Sequence, residues 1–137
     1  MEILKEGGVT APKGFKAASV AAEIKYKNRT DMAMIYSEKP CTQAGVFTSN
    51  IVKAAPVRWD KAVVSDSPYA QAVVVNSGIA NACTGNEGYE YCNQSAQCVA
   101  ECLDIPKSSV LVASTGVIGK QLPMDIIAKG IKMLSES

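Results

Sequence analysis

Residues 70–76 read Ala-Gln-Ala-Val-Val-Val-Asn and are followed at once by the small polar pair Ser77-Gly78. A short apolar run of this kind is typical of a buried β-strand. The next segment, residues 87–103, repeats apolar side chains along one helical face. Residues 109–114 then form a second compact apolar run. This order of strand, helix and strand predicts a protein in which α and β elements pack in layers.

The first half of the chain predicts further strands and a helix. Residues 18–26 and 31–36 flank a short polar stretch, so they predict a β-hairpin. Residues 42–48 predict a third strand. Residues 56–63 predict a short helix with a proline near its first turn. At the other end of the sequence, residues 123–134 have the periodicity of an amphipathic helix.

Composition and charge argue against two classes of partner. The chain has 137 residues, with 14 Lys and Arg against 13 Asp and Glu. This near-zero balance, without a basic cluster, offers no surface for a nucleic-acid backbone or an anionic membrane. The longest charge-free segment, residues 67–86, is too polar to span lipid. Because no repeat or long linker interrupts it, we treat residues 1–137 as one domain. Residues 1–7 lack an export pattern, so we expect a cytoplasmic location.

Cysteine and histidine usage limits the chemistry further. The five cysteines include no C-x-x-C pair, and the sequence contains no histidine. We therefore expect no metal centre. Cys98 and Cys102 stand one helical turn apart, where small buried apolar residues are the simpler interpretation. Because histidine is the commonest general base, a nucleophile acting here must find its base elsewhere.

Two uncharged segments, residues 76–85 and 114–119, concentrate Gly, Ser, Thr and Asn at predicted strand exits. A glycine N–H and a threonine hydroxyl can together stabilise a developing oxyanion. The same composition also suits plain tight turns, which spacing alone favours. A phosphate cradle is a third interpretation, but neither G-x-G-x-x-G nor a complete P-loop is present. Thr115 as a nucleophile is a fourth, and no histidine is available to activate it. Among the functional interpretations we rank the oxyanion site first.

Seven blocks of the sequence carry a resemblance to a known family: residues 8–15, 44–50, 54–57, 75–78, 80–85, 112–119 and 122–125. In this order they resemble the N-terminal portion of the ornithine acetyltransferase family, the bifunctional glutamate N-acetyltransferases of bacterial arginine biosynthesis. The resemblance extends from about residue 7 to residue 131. Ile79 departs from the asparagine expected at that position.

The resemblance implies transfer of an acetyl group from N2-acetylornithine to glutamate through an acetyl-enzyme. It implies no cofactor, although some members accept acetyl-CoA as donor. In the family a precursor cuts itself, and the new N-terminal threonine of the second chain is the nucleophile. Its own amino group can serve as base, which is compatible with a chain lacking histidine. The family's oxyanion donors, a threonine hydroxyl and the next glycine's N–H, match Thr115 and Gly116.

The resemblance also implies an α+β fold, a layered sandwich of β-sheets and helices like that of N-terminal-nucleophile enzymes. The expected partner is a C-terminal (beta) chain carrying the threonine, in a hetero-tetramer of two alpha and two beta chains. This chain alone is expected to be inactive and to expose an apolar face that the partner covers. Two alternatives stay open: a non-enzymatic domain that is structural or binds small anions, and part of an N-terminal-nucleophile aminopeptidase.

Overall fold

The computed structural model describes residues 7–137, which form one four-stranded sheet and three α-helices. The strands lie in sequence order across the sheet; β1 to β3 are antiparallel, whereas β3 and β4 are parallel. The strands are β1 (Phe15–Val20), β2 (Met32–Thr42), β3 (Tyr69–Asn76) and β4 (Val110–Ser114). The helices are α1 (Ala55–Asp66), α2 (Gly85–Leu103) and α3 (Met124–Ser135).

Local sequence explains where the helices begin and end. Pro56 occupies the first turn of α1, where its missing N–H costs no hydrogen bond. Asp104 ends α2 in a left-handed conformation. Helix α2 provides the crossover that parallel strands require between β3 and β4. None of the helices within residues 7–137 is both long and apolar enough to cross a membrane.

One face of the sheet carries the hydrophobic core. Burial alternates along β2, β3 and β4, as expected for a sheet covered on one side. All three helices contribute side chains to this single core. The most buried members include Met32, Val99, Val110 and Ile131.

The other side of the sheet, here called the open face, is apolar but only half-buried. Its central residues pair across the strands, Ile35 with Val73 and Val73 with Leu111. Val75 pairs with Ala113 two residues further along the same strands. Within residues 7–137 these side chains are half-buried, whereas those of the opposite face are buried, and of the residues named here Leu111 also packs against the edge of the core. The apolar face that a partner chain would cover stays a prediction, and the open face is the described surface to which it applies.

The α+β class is confirmed, with a single sheet in the described part of the chain. The hairpin is confirmed as an antiparallel pair, but residues 21–30 form a loop because the Asp31 carboxylate accepts the N–H groups of Ala22 and Ile24 (2.7 Å each). The predicted strand at 42–48 is wrong. Strand β2 runs on to Thr42 past a register shift, and residues 43–50 are irregular. Part of the export argument rested on residues 1–6, which lie outside the described residues.

Candidate active site

The two uncharged segments meet beyond the ends of the parallel strands β3 and β4. Ile79 and Val117 form an isolated parallel bridge after both strands have ended. The Val117 N–H donates to the Gly78 carbonyl (3.1 Å), and the Ala80 N–H donates to the Val117 carbonyl (2.9 Å). The carboxyl ends of parallel strands share one edge of the sheet, so the two segments that composition singled out lie side by side.

Buried Asn76 fixes the start of both segments. Its Nδ2 donates to the Ile79 carbonyl (3.0 Å), and its Oδ1 accepts from the Ser114 hydroxyl (2.6 Å). Its own carbonyl accepts the Thr115 N–H (3.0 Å). One side chain and its backbone therefore hold both loops, and the main chain at Thr115 has a defined position.

Gly116 has a φ of +131°, a conformation that L side chains rarely adopt. A Cβ at this position would overlap the carbonyl group of Gly78 and the nitrogen of Ile79. Only glycine therefore allows the two loops to lie this close together.

Thr115 and Gly116 are both exposed and line a cavity of about 340 Å³. Within residues 7–137, neither the Thr115 hydroxyl nor the Gly116 N–H makes a hydrogen bond, whereas the neighbouring Thr115 and Val117 N–H groups are both paired. Two uncommitted donors thus adjoin one cavity. An oxyanion site needs donors without a competing partner, and both groups meet that one condition. Their catalytic role stays a prediction.

The second half of the segment 76–85 is structural. The buried Asn81 donates through Nδ2 to the Gly88 carbonyl (2.8 Å) and accepts the Thr84 hydroxyl (2.8 Å) at Oδ1. These bonds fix the turn that enters α2. For this half the simple interpretation as a tight turn is correct.

The opposite wall of the cavity comes from the loop between β1 and β2, which sequence reasoning missed. Lys25, Tyr26, Arg29 and Asp31 line the cavity together with Thr115. The pattern of residues 18–26 predicted a strand, and that assignment concealed the loop. The only available signal was that three cations, Lys25, Lys27 and Arg29, occur close to Tyr26 in the sequence, and such a pattern is also common on a solvated surface.

No cysteine is among the described residues that line this cavity. Burial raises the pKa of Cys92 to about 12 and that of Cys98 to about 11. Cys92 belongs to the core, and half-buried Cys98 and Cys102 pack against it, as expected from their spacing. Residues 7–137 contain no group of three or more side chains suited to holding a metal ion.

These features define an α+β protein in which two loops of small residues, at the carboxyl ends of two parallel strands, line a cavity. Within that class the chain belongs to the ArgJ family, whose profile matches residues 16–137.

Relatives of known name support this membership. The chain is 52% identical over 122 residues to the arginine biosynthesis bifunctional protein ArgJ of Thermotoga neapolitana, covering 88% of this chain and 30% of that protein. A crystal structure of the Bacillus halodurans argJ protein has a TM-score of 0.89 at 43% identity, over 93% of this chain and 66% of the other. Ornithine acetyltransferase from Mycobacterium tuberculosis, solved with ornithine, has a TM-score of 0.92 at 44% identity, over 98% and 72%. The chain spans about a third of the length of the curated relatives it matches.

Proposed function

We propose that this chain is part of an acetyltransferase that moves the acetyl group of N2-acetylornithine to glutamate, and that it contributes the oxyanion site. Family membership and the similarity to an ornithine acetyltransferase solved with ornithine support the reaction class. The observation that carries the proposal is the pair of uncommitted donors, the Thr115 hydroxyl and the Gly116 N–H, at one cavity.

Acyl transfer places negative charge on the acetyl oxygen when a nucleophile attacks the carbonyl carbon. Donors that are already in position stabilise that charge without reorganising during the reaction. In this chain the Asn76 bonds and the Gly116 contact with Gly78 supply the fixed position. Thr115 acts here as a donor, since the sequence offers no histidine to remove its proton.

We assign the nucleophile to an N-terminal threonine that self-cleavage creates in the remaining part of the protein. The lengths of the relatives support this assignment. The chain covers about a third of the curated relatives but about two thirds of the chains in the two crystal structures. Those crystallised chains are therefore about half as long as the curated proteins, as division into two chains would produce. A cytoplasmic location and the possible use of acetyl-CoA as a second donor belong to the same proposal.

The open face is the surface on which we place the partner chain. It is apolar, lies at the centre of the sheet and is left half-buried by the described residues. The relatives supply about two thirds of their length beyond the matched region, enough for a covering layer. Two such pairs would give the expected hetero-tetramer.

The test is Thr115→Ala in the complete enzyme, assayed with N2-acetylornithine and glutamate. Loss of one fixed donor should lower kcat by about a hundredfold or more, and Thr115→Ser should retain most of the activity. Thr10→Ala, at an exposed threonine in the N-terminal turn, is the matched control. Near-normal turnover in Thr115→Ala would refute the proposed role.

The product distinguishes the two remaining enzyme classes. A transferase converts added glutamate into N-acetylglutamate, whereas an N-terminal-nucleophile hydrolase passes the acyl group to water and releases acetate. Absence of both products, together with saturable binding of a small anion, would instead favour a non-enzymatic binding domain.

A further inference from the structure

A second cavity, of about 190 Å³, lies between α1, the first half of α2 and the turn that precedes β4. It is at the amino end of β4, whereas the candidate active site is at the carboxyl end, and the two cavities share no lining residue. The chemistry described so far gives this second cavity no role. Its apolar wall consists of Trp59, Ala62 and Val63 of α1 and Tyr89 of α2.

The aromatic part of this wall has a fixed position. The buried Trp59 donates through Nε1 to the Val110 carbonyl (3.1 Å). Its ring centre lies 5.8 Å from that of Tyr89, with 58° between the ring planes. The Arg58 guanidinium lies over the Tyr89 ring, 5.1 Å from its centre. The cavity therefore has a preformed apolar surface, as pockets for small ligands usually do.

Two opposite charges line the same cavity without pairing with each other. Asp66 is the last residue of α1, and Lys107 begins the turn before β4; both are exposed. Within residues 7–137 the one ion pair joins Lys16 to Glu38, so these two charges lie beyond ion-pair distance. The Lys107 Nζ donates instead to the Asn93 side-chain oxygen (2.8 Å). A negative and a positive group thus adjoin one apolar wall, with space between them.

A free amino acid is complementary to all three features. Its ammonium group matches Asp66, its carboxylate matches Lys107, and an apolar side chain matches the aromatic wall. A simple anion or a simple cation would match only one of the two charges. At about 190 Å³ the cavity is smaller than the pockets that hold drug-sized ligands, so it is too small to enclose a nucleotide or coenzyme A.

We propose that this cavity binds a free amino acid with an apolar side chain, whose ammonium group contacts Asp66, whose carboxylate contacts Lys107 and whose side chain packs on the aromatic wall. The site goes beyond the proposed acetyl transfer and does not depend on it, because none of its residues lines the candidate active site. Its occupancy can therefore be measured without turnover.

The first experiment measures leucine binding to the complete protein by titration calorimetry. Leucine should bind saturably, and glycine should bind much more weakly, because it has the same charges but no side chain to cover the aromatic wall. N-acetylleucine lacks the ammonium charge and leucinamide lacks the carboxylate. Each should bind about three- to fivefold more weakly than leucine, as loss of one exposed ionic contact would produce.

Two charge variants assign the contacts. Lys107→Gln should weaken leucine binding about three- to fivefold and leave leucinamide binding unchanged, since leucinamide has no carboxylate. Asp66→Asn should weaken leucine binding equally and leave N-acetylleucine binding unchanged. The matched controls are Lys61→Gln and Glu136→Gln, because both residues are exposed charges that do not line the cavity. Leucine binding that is equal in wild type and both charge variants would overturn the site.

A third variant fills the cavity. Ala62→Leu adds an apolar side chain to the wall and keeps a good helix-forming residue in α1, so it should abolish leucine binding. Urea unfolding shows whether this variant is folded, and the two charge variants test the site if it is not. Undiminished leucine binding in folded Ala62→Leu would overturn the site, because the ligand would then bind elsewhere.

The two proposals fail in different ways. A wild-type protein that binds no leucine up to the solubility limit of leucine would refute this site and leave the acetyl transfer untouched. A wild-type protein that binds leucine but transfers no acetyl group would refute only the proposed function. Equal binding of leucine and glycine would also refute the site, because the aromatic wall would then contribute nothing.

Discussion

Gly116 packs directly against the carbonyl group of Gly78, with no space for a single methyl group between them. This contact joins the segments that follow β3 and β4, and it lies beside both donors of the candidate site. The position of the Gly116 N–H thus depends on two glycines that are distant in sequence.

Gly116→Ala should lower the free energy of unfolding by about 2–3 kcal/mol, because the new Cβ meets backbone atoms and the φ is unfavourable. Urea unfolding of the chain measures the effect. Gly119→Ala should cost about 1 kcal/mol, since Gly119 shares a positive φ but has open space around it. Gly8→Ala, with neither constraint, should change the stability by less than about 0.5 kcal/mol. Equal losses at Gly116 and Gly119 would show that the contact with Gly78 is unimportant.

Ser114→Ala removes the hydroxyl that donates to the Asn76 side chain. A buried acceptor then lacks its partner, so the free energy of unfolding should fall by about 1–2 kcal/mol. We also expect a lower kcat in the complete enzyme, since Asn76 holds the main chain at Thr115. Ser108→Ala, at an exposed serine before β4, is the control. If Ser114→Ala lowers the stability but leaves kcat unchanged, the bond between Ser114 and Asn76 stabilises the fold and does not position Thr115.

Asp31→Asn tests the hydrogen bonds that hold the loop between β1 and β2, residues 21–30. An asparagine keeps one acceptor oxygen, so one of the two N–H groups from Ala22 and Ile24 loses its partner. The free energy of unfolding should fall by about 2 kcal/mol. Amide exchange should become faster at these two residues and stay unchanged in α2. Asp66→Asn, at the exposed end of α1, should have no such effect.

Asp60 should make stability depend on pH. Burial raises its pKa from 3.8 to about 6, against the lowering effect of the Val112 N–H that it accepts at 2.9 Å. The folded state therefore binds the proton more tightly, and this stabilisation is present below about pH 4 and lost as the pH rises through about 6.

Asp60→Asn removes the charge and keeps an acceptor oxygen for Val112. At pH 8 it should raise the free energy of unfolding by about 1 kcal/mol, a figure reduced for the solvent that reaches this half-buried group. At pH 4 the variant and wild type should unfold at similar urea concentrations. A gain of the same size at both pH values would point to packing instead of charge.

Sequence patterns predicted α2, α3, β3 and β4 to within a few residues, because periodicity and apolar runs are local properties. They failed where a distant group competes for the backbone. The Asp31 carboxylate takes N–H groups that would otherwise belong to a strand. In residues 42–48 the apolar Val46 suggested a strand, yet its side chain is fully exposed.

The residues of the candidate site also fall into those that the sequence predicted and those that it did not. Composition marked the segments containing Thr115 and Gly116, because small residues at strand exits are visible in sequence. The cations Lys25 and Arg29 escaped notice, since their place depends on how Lys25 packs against Gly78. Contacts of that kind arise only when the chain has folded.

The uncommitted N–H of Gly116 stands between two protected neighbours, those of Thr115 and Val117. In deuterated water its nuclear resonance should disappear quickly while both flanking signals persist. The exchange rate of this one amide would thus report ligand binding. If an acyl compound slows deuterium uptake at Gly116 alone, the compound occupies the cavity, and neither a label nor turnover is needed to detect it.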